Sequence, residues 1–412
     1  MKNIISPEQR GFIQGRNIKD CIYITSEAIN QLHNKSFAGN LAFKVDIAKA
    51  FETLEWSFLL KVLNRFGFNT KFCSWINTIL HSATPSISVN GKLNGYFNCQ
   101  WGVRQGNPLS SLLFCIVEDV LSRNTTYLVE QGKLELIKGT RSVQVPSHAL
   151  YADDIMIFFK GKLSSIHSLM QLFESYALAS GQIINPSKST VYYGFISTAR
   201  IENITALIGF NKGSLPFTYL GVPIFKGKPK RIHLQAITYN IKARFGAWKA
   251  SLLSIARRVL LVQSVIQGML IQSLSVYSWP TALLKEIESW CRNFIWSGNT
   301  AMRKLVTVSW SNSCRPLSQG GLGLRSLITL NDAANMKLCL DLKTSKESWA
   351  CLLKRKVYIG RKAISYHIYS SICSSVKNEN KVIDENCRWL IGSGENINFW
   401  LHPWFDDSMV SF

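Results

Sequence analysis

The residues with the most chemistry in them are acids at the ends of apolar runs. His148-Ala149-Leu150-Tyr151-Ala152-Asp153-Asp154-Ile155-Met156-Ile157-Phe158-Phe159 reads as two strand segments meeting at an acidic pair. Upstream, Leu41-Ala42-Phe43-Lys44-Val45-Asp46 reads as another apolar strand ending in a carboxylate. An acidic pair between such runs also suits an ordinary surface hairpin turn, and Asp153-Asp154 alone leaves both readings open. Asp46 breaks the tie. If the strands lie side by side, Asp46 and Asp153 meet at their ends. Carboxylates held together repel one another, and a hard, oxygen-preferring divalent cation such as Mg²⁺ is the usual compensation. Nucleotidyl transfer uses this arrangement: metal ions about 4 Å apart bind the attacking and leaving oxygens and neutralise charge developing at phosphorus.

Between the two acidic segments lies Gln100-Trp101-Gly102-Val103-Arg104-Gln105-Gly106-Asn107-Pro108-Leu109-Ser110, leading into an apolar run through Leu121. Asn107 suits an N-cap and Pro108 the first helical position. The segment can be a well-capped core helix with Arg104 on its solvated shoulder. Alternatively, its glycines let backbone approach a substrate while Arg104 and Gln105 offer donors to phosphate or base edges.

The elements that must position these residues change along the chain. Up to about Tyr193, short apolar strand-like runs alternate with helical stretches. After Leu215-Pro216-Phe217-Thr218-Tyr219-Leu220-Gly221 the pattern becomes helical, through an exposed basic connector, Lys226-Gly227-Lys228-Pro229-Lys230-Arg231, to about Ser297. A third, mixed region starts near Trp310 and ends in a glycine-punctuated stretch, Ile391 to Trp400, read as a turn between short strands. Val259 to Leu284 has no charged residue and is long enough to cross a bilayer. Its glutamines, Gln263, Gln267 and Gln272, and the flanking Arg257, Arg258, Lys285 and Glu286 favour a buried helix or helix pair, so no membrane partner is expected.

Lysine plus arginine number 47 against 25 aspartate plus glutamate in 412 residues, a net charge of +22 that points to a polyanionic partner. The ten cysteines form no Cys-x-x-Cys pair and read as thiols of a reducing compartment. Pro7 and Glu8 interrupt the start before a signal core could form, so an intracellular location, nucleus or cytoplasm, is expected.

In this order, the acidic strand, the Arg104-Gln105-Gly106-Asn107-Pro108-Leu109-Ser110 segment and the Tyr151-Ala152-Asp153-Asp154 hairpin resemble the signature motifs of reverse transcriptases, closest to non-LTR (LINE-type) retrotransposons of the plant type. Ile5-Ser6-Pro7-Glu8-Gln9-Arg10-Gly11-Phe12-Ile13-Gln14-Gly15-Arg16 is similar to that family's finger segment, Ser180-Gly181-Gln182-Ile183-Ile184-Asn185-Pro186-Ser187-Lys188-Ser189 to its next palm motif, and Leu215 to Gly221 to its primer-grip region. Cys291 to Gly298 and Gln319 to Gly323 resemble its downstream region.

The resemblance implies an α+β right-hand polymerase fold: partial fingers over residues 1–40, a palm built on an antiparallel sheet with remaining fingers over 41–225, a helical thumb or connection over 226–300 and a small mixed region over 301–412. It implies an RNA-directed DNA polymerase that extends a DNA primer on an RNA template with deoxynucleoside triphosphates, using Mg²⁺ or alternatively Mn²⁺. Asp46, Asp153 and Asp154 become the catalytic acids and, with the main-chain carbonyl of Ile47, the metal ligands. Phe51 takes the place of an aromatic gate against the 2′-hydroxyl, with a core aromatic as the plain alternative. Arg104, Gln105, Gly106, Tyr151 and Lys188 line the nucleotide site. Arg16, Tyr219, Leu220, Gly221, Lys242, Arg244, Lys249, Arg257 and Arg258 are expected to contact nucleic acid.

Asn107, Ser111 and Glu52 depart from the family pattern of an acid, a proline and an aspartate, and none of these removes a metal ligand. Little sequence precedes the finger-like segment, and endonuclease, zinc-binding or RNase H modules are not visible. A truncated member is therefore expected, with a maturase-like nucleic-acid binder lacking catalysis as the alternative.

Overall fold

The structure, a computed structural model, describes residues 1–139, 143–248, 250–360, 362–364, 368–387, 390–391 and 393–395. The chain divides into two compact units, Met1–Lys226 and Gly227–Phe412.

The first unit is built on strands β1 (Asn40–Val45), β4 (His148–Tyr151), β5 (Asp154–Lys160), β6 (Thr190–Gly194) and the short β7 (Asn211–Lys212), in the order β4-β5-β1-β6-β7. Every pairing is antiparallel except β6 with β7. Two small hairpins stand apart from this sheet: β2 (Ser86–Val89) with β3 (Lys92–Tyr96), and β8 (Phe217–Tyr219) with β9 (Val222–Ile224). The apolar alternation of the central strands decides what each face covers. Leu41, Phe43 and Val45, with Ile155, Ile157 and Phe159 across the register, enter one large core. There they meet α2 (Trp56–Arg65), α3 (Thr70–His81), α4 (Pro108–Glu130), α5 (Leu163–Ser180) and α6 (Thr198–Ile208). Phe43 sits edge-on to Phe159 at 4.9 Å and to Phe210 at 5.3 Å. Each fully buried side chain of this size contributes roughly 1.5–3 kcal/mol. Ala42, Met156 and Phe158 on the opposite face are equally buried, and α1 (Ile18–Gln31) packs against β4 and β9.

The second unit is helical from Gln235 onward: α7 (Gln235–Ala247), α8 (Ile255–Leu261), a π-helical turn (Val262–Ile266), α9 (Gln267–Leu274) and α10 (Thr281–Ser297). The uncharged stretch from Val259 to Leu284 is thus a helix running unbroken from Ile255 to Leu274 through the π-helical turn, then a break and the start of α10 at Thr281, a helix pair as expected. Among the described residues no helix is long and apolar enough to cross a membrane. Beyond residue 300 the described residues are again mainly helical: α11 (Trp310–Ser313), α12 (Leu327–Thr344), α13 (Ser348–Val357) and α14 (Cys373–Asn386), with one small strand pair, β10 (Tyr358–Ile359) and β11 (Lys362–Ala363). The expectation of a mixed region therefore holds there only through that pair. Most of the stretch from Ile391 to Trp400 lies outside the described residues. Asn331 ties this unit together, since its amide donates to the carbonyls of Leu274 and Tyr277 at 2.8 Å and its oxygen accepts from the Trp279 N–H at 2.9 Å.

Candidate active site

Asp46 follows directly on β1, whose last pair is Val45 with Ile155. Extending that register by one residue sets Asp46 opposite Asp154, the first residue of β5. Residues opposed in this way lie about 5 Å apart with their side chains on the same face. The β4-β5 hairpin turns through Ala152 and Asp153, with Tyr151 paired to Asp154, so the third acid rides on the tip. Asp153 is exposed, while Asp46 and Asp154 are half-buried. The Asp154 carboxyl titrates above its ordinary range, first because it is buried and next because of the charge on Asp153, with Asp46 adding and Lys44 opposing. The sheet therefore gathers the acids that 107 residues of sequence separate, Asp46 from Asp153.

The turn itself is strained. Ala152 has φ 51°, a left-handed conformation that costs an ordinary residue about 1–2 kcal/mol. It is held in place by the segment resembling a finger motif, which lies along β4: the Arg10 N–H donates to the Leu150 carbonyl at 2.8 Å and the Leu150 N–H to the Glu8 carbonyl at 3.0 Å. The buried Gln9 side chain between them accepts the Ala152 N–H at 3.0 Å.

A second set of backbone contacts assembles the rest of the site around the turn after β1. The Val103 N–H donates to the Phe51 carbonyl and the Gly102 N–H to the Leu54 carbonyl, both at 2.7 Å, and the Trp56 indole donates to the Gly102 carbonyl at 2.6 Å. Gly102 has φ 81°, and a Cβ there would stand 2.5 Å from the Glu52 carbonyl oxygen, so only glycine fits. These bonds bring exposed Arg104, Gln105 and Gly106 beside Phe51, whose ring stacks on Phe114 of α4 at 4.3 Å. Asn107 caps α4 by accepting the Leu109 N–H at 3.0 Å, as its type suggested. On the other side, the Asn185 N–H donates to the Asp46 carbonyl at 2.8 Å and Ser189 Oγ accepts the Asp46 N–H at 3.1 Å. The exposed Lys188 is part of that loop. The Ala48 N–H bond to the Ile183 carbonyl, at 2.9 Å, and the Asn185 bond flank the Ile47–Ile184 bridge, so Ile47 turns its own carbonyl away from Ile184. Half-buried Tyr151 keeps its phenol protonated to higher pH than usual, through burial and then the nearby Cys21.

Several residues expected to touch nucleic acid are placed otherwise. Tyr219 is fully buried, its phenol raised well above the ordinary value by burial, so its side chain packs inside the unit. Leu220 and Gly221 form the two-residue turn of the β8-β9 hairpin, both with positive φ. The Arg16 guanidinium donates to the carbonyls of Ser6, Gln9, Ile5 and Lys2, which makes it a brace for the N-terminal segment. In the second unit, Arg258 donates to the carbonyls of Ala250 and Ile295 at 3.1 and 3.2 Å, and Lys242 lies over the Trp290 ring at 4.4 Å. Arg244 and Arg257 are exposed on that unit. Lys249 lies outside the described residues.

The sequence reading missed Lys44, Gln9 and Glu118. Lys44 donates to the Thr218 carbonyl at 3.3 Å and is the cation that moderates Asp154. Glu118 is fully buried on α4, and its carboxyl is raised well above the usual range, by burial first and by the charge on Asp153 next. A carboxylate pair, Glu118-Asp119, inside the otherwise apolar run from Leu112 to Leu121 was the available signal.

A hard divalent cation suits this donor set, because carboxylates brought near one another raise the Asp154 carboxyl despite the opposing Lys44, and such a cation would compensate their charge. Among the described residues no three His, Cys, Asp or Glu side chains are gathered tightly enough to hold a metal among themselves. A cation there would draw on the carboxylates of Asp46, Asp153 and Asp154 and on the main-chain carbonyl of Ile47.

The model of the family described as reverse transcriptase (RNA-dependent DNA polymerase) matches residues 1–224. The uncharacterized 149 kDa protein of transposon TX1 from Xenopus laevis is 25% identical over 331 residues, 79% of this chain and 24% of that protein. A retrovirus-related Pol polyprotein from the type-1 retrotransposable element R2 of Popillia japonica is 30% identical over 144 residues, 35% of this chain and 23% of the polyprotein. The chain thus spans about a quarter of the length of these relatives. Among solved structures, telomerase from Candida albicans, in complex with a fragment of telomeric RNA, aligns over 87% of this chain and 56% of its own at 9% identity and a TM-score of 0.39. With the acids gathered at the adjoining ends of β1 and β5 and the family model covering more than half its length, the chain belongs to the reverse transcriptase (RNA-dependent DNA polymerase) family.

Proposed function

We propose that this chain carries the catalytic core of a retroelement reverse transcriptase that adds deoxynucleotides to the 3′-hydroxyl of a DNA primer on an RNA template, in the nucleus or cytoplasm. One observation carries this: the β1-β5 register, continued one residue past Val45–Ile155, brings Asp46 to Asp154, whose carboxyl feels its charge, at the foot of the hairpin that bears Asp153. Asp46 and Asp153 would hold Mg²⁺, or Mn²⁺ in its place, which when bound lowers the pKa of the primer hydroxyl and neutralises charge at the phosphorus. The remaining work falls to the chain's own groups. Arg104 and Gln105 offer donors to phosphate and base edges from a loop fastened to residues 51–56. Phe51, braced by Phe114, stands as a wall against a 2′-hydroxyl. Lys188 supplies a cation from the loop that holds the Asp46 backbone.

Primer extension on an RNA template with Mg²⁺ or Mn²⁺ tests this reading, comparing the chain with Asp153→Asn. Incorporation that is lost in the variant supports it. Equal incorporation by both overturns the assignment of the acids, and binding without incorporation by the parent points to the maturase-like alternative.

A further inference from the structure

Gln9 is completely buried, and its side chain makes three hydrogen bonds, each to a different neighbour. Its carbonyl oxygen Oε1 accepts the N–H of Ala152, in the acidic turn, at 3.0 Å and the N–H of Gly11 at 2.8 Å. Its amide nitrogen Nε2 donates to Glu118 Oε2 on α4 at 3.1 Å. The two ends of a glutamine amide have nearly the same shape, so something must decide which faces the backbone N–H groups. The N–H groups of Ala152 and Gly11 decide it, since both require an acceptor, and Glu118 Oε2 secures that orientation by accepting from the NH₂ end. Gly11 completes the fit, because a Cβ at that position would stand 2.6 Å from the Ala152 nitrogen.

Resting on the polymerase reading above, we propose that Gln9, oriented by Glu118, is the positioning residue of the metal-binding turn. It fixes the Ala152 amide in its left-handed conformation and thereby sets where Asp153 presents its carboxylate to a divalent cation. Ala152 has no side chain with which to hold that conformation, and the following residue is the exposed acid itself. The clamp is one layer removed from where a cation would bind, and partners of ligating residues commonly change metal affinity about 10- to 100-fold.

The test uses the full chain with Gln9→Met, which keeps volume and removes the acceptor, and Glu118→Gln, which keeps an acceptor for Nε2. Two quantities are measured without nucleic acid: Mn²⁺ affinity by electron paramagnetic resonance, and hydrogen exchange at the Ala152 amide relative to the sheet amides around it. Gln9→Met is expected to weaken Mn²⁺ binding by about tenfold or more and to speed exchange at Ala152 selectively, while Glu118→Gln stays near the parent in both. A residue that only fills the core would change the unfolding midpoint and leave these two quantities alone. Unchanged Mn²⁺ affinity and unchanged Ala152 exchange in Gln9→Met would overturn the proposal. Should Gln9→Met not fold, Glu118→Leu, which leaves Gln9 present but with no acceptor for its Nε2, must speed Ala152 exchange, and its failure to do so overturns the proposal equally. Asp153→Asn separates the two levels of argument. If it binds Mn²⁺ as tightly as the parent, the polymerase reading fails, while the exchange data still judge the clamp.

Discussion

Gly102 and His148 each do a job that their residue type alone can do. At Gly102 the chain runs so close to the Glu52 carbonyl, with φ 81°, that a methyl group has no room. Gly102→Ala is expected to cost at least about 2 kcal/mol by urea denaturation and to detach the Arg104 loop from Phe51. His148 is buried in β4, with its ring nitrogens 2.7 Å from Ser147 Oγ and 2.8 Å from Ser122 Oγ, and burial pushes its pKa down to about 3. The unfolded chain binds a proton here below about pH 6.5 and the folded chain does not. Stability contributed by the neutral imidazole is therefore present above that pH and lost progressively as pH falls toward 3. Parent and His148→Gln should converge in stability on acidification over this window, a comparison that equilibrium urea curves at successive pH values can make. Phe51 belongs at this scale too. Phe51→Ala should raise ribonucleotide incorporation relative to deoxynucleotide by about 10- to 200-fold, in the range a lost pocket contact is worth, and an unchanged ratio would return Phe51 to the role of a core aromatic.

Among the elements, β1, β5 and α4 do most of the positioning. β1 sits between β5 and β6 and carries Asp46 to its end, so the strand whose apolar face fills the core also aims the first acid. Helix α4 begins at the Arg104 loop, which Asn107 joins to it through its cap, and runs inward to Glu118. Asn107→Ala should destabilise the unit by about 1 kcal/mol while Asn107→Asp leaves it nearly unchanged, since both Asn and Asp accept the Leu109 N–H. Thermal unfolding of the three chains would check this. The existence of these strands and of this helix was legible from alternation, from Asn107-Pro108 and from the length of the apolar run. The parallel contact of residues 8–10 with β4 was not, because a segment with a proline and two charges among four residues, Pro7 to Arg10, carries no strand pattern. Tyr219 shows the reverse error. Its place in a motif suggested contact with nucleic acid, and its burial in the β8-β9 hairpin makes it a packing residue.

For the whole molecule, charge is the leading property. At +22 the chain should hold RNA and DNA through phosphates with little regard for sequence. Of the cations expected to do so in the second unit, Arg244 and Arg257 are exposed, whereas Arg258 is tied to two carbonyls. Replacing Arg244 and Arg257 by alanine should therefore weaken binding uniformly across templates and lower the slope of log affinity against log salt by about 0.7–0.9 per arginine. Arg258→Ala should act on stability instead. Filter binding at several salt concentrations distinguishes the two outcomes.

What the sequence determined by itself was local: which runs become strands, where the acids fall within them and which residues cap α4. Those properties follow from short-range periodicity and from residue chemistry, both of which can be read in a single chain. Only the tertiary structure decided which carboxylates come near one another, since the approach of Asp46 to Asp154 depends on β1 lying beside β5 in the sheet. It alone separated exposed cations from structural ones, because an arginine's partners are backbone carbonyls that no motif names. It also set Gln9 and Glu118 beneath the acidic turn, residues 109 apart in sequence and joined by a hydrogen bond. Contacts of that kind are made when distant segments share one core, and periodicity carries no information about them.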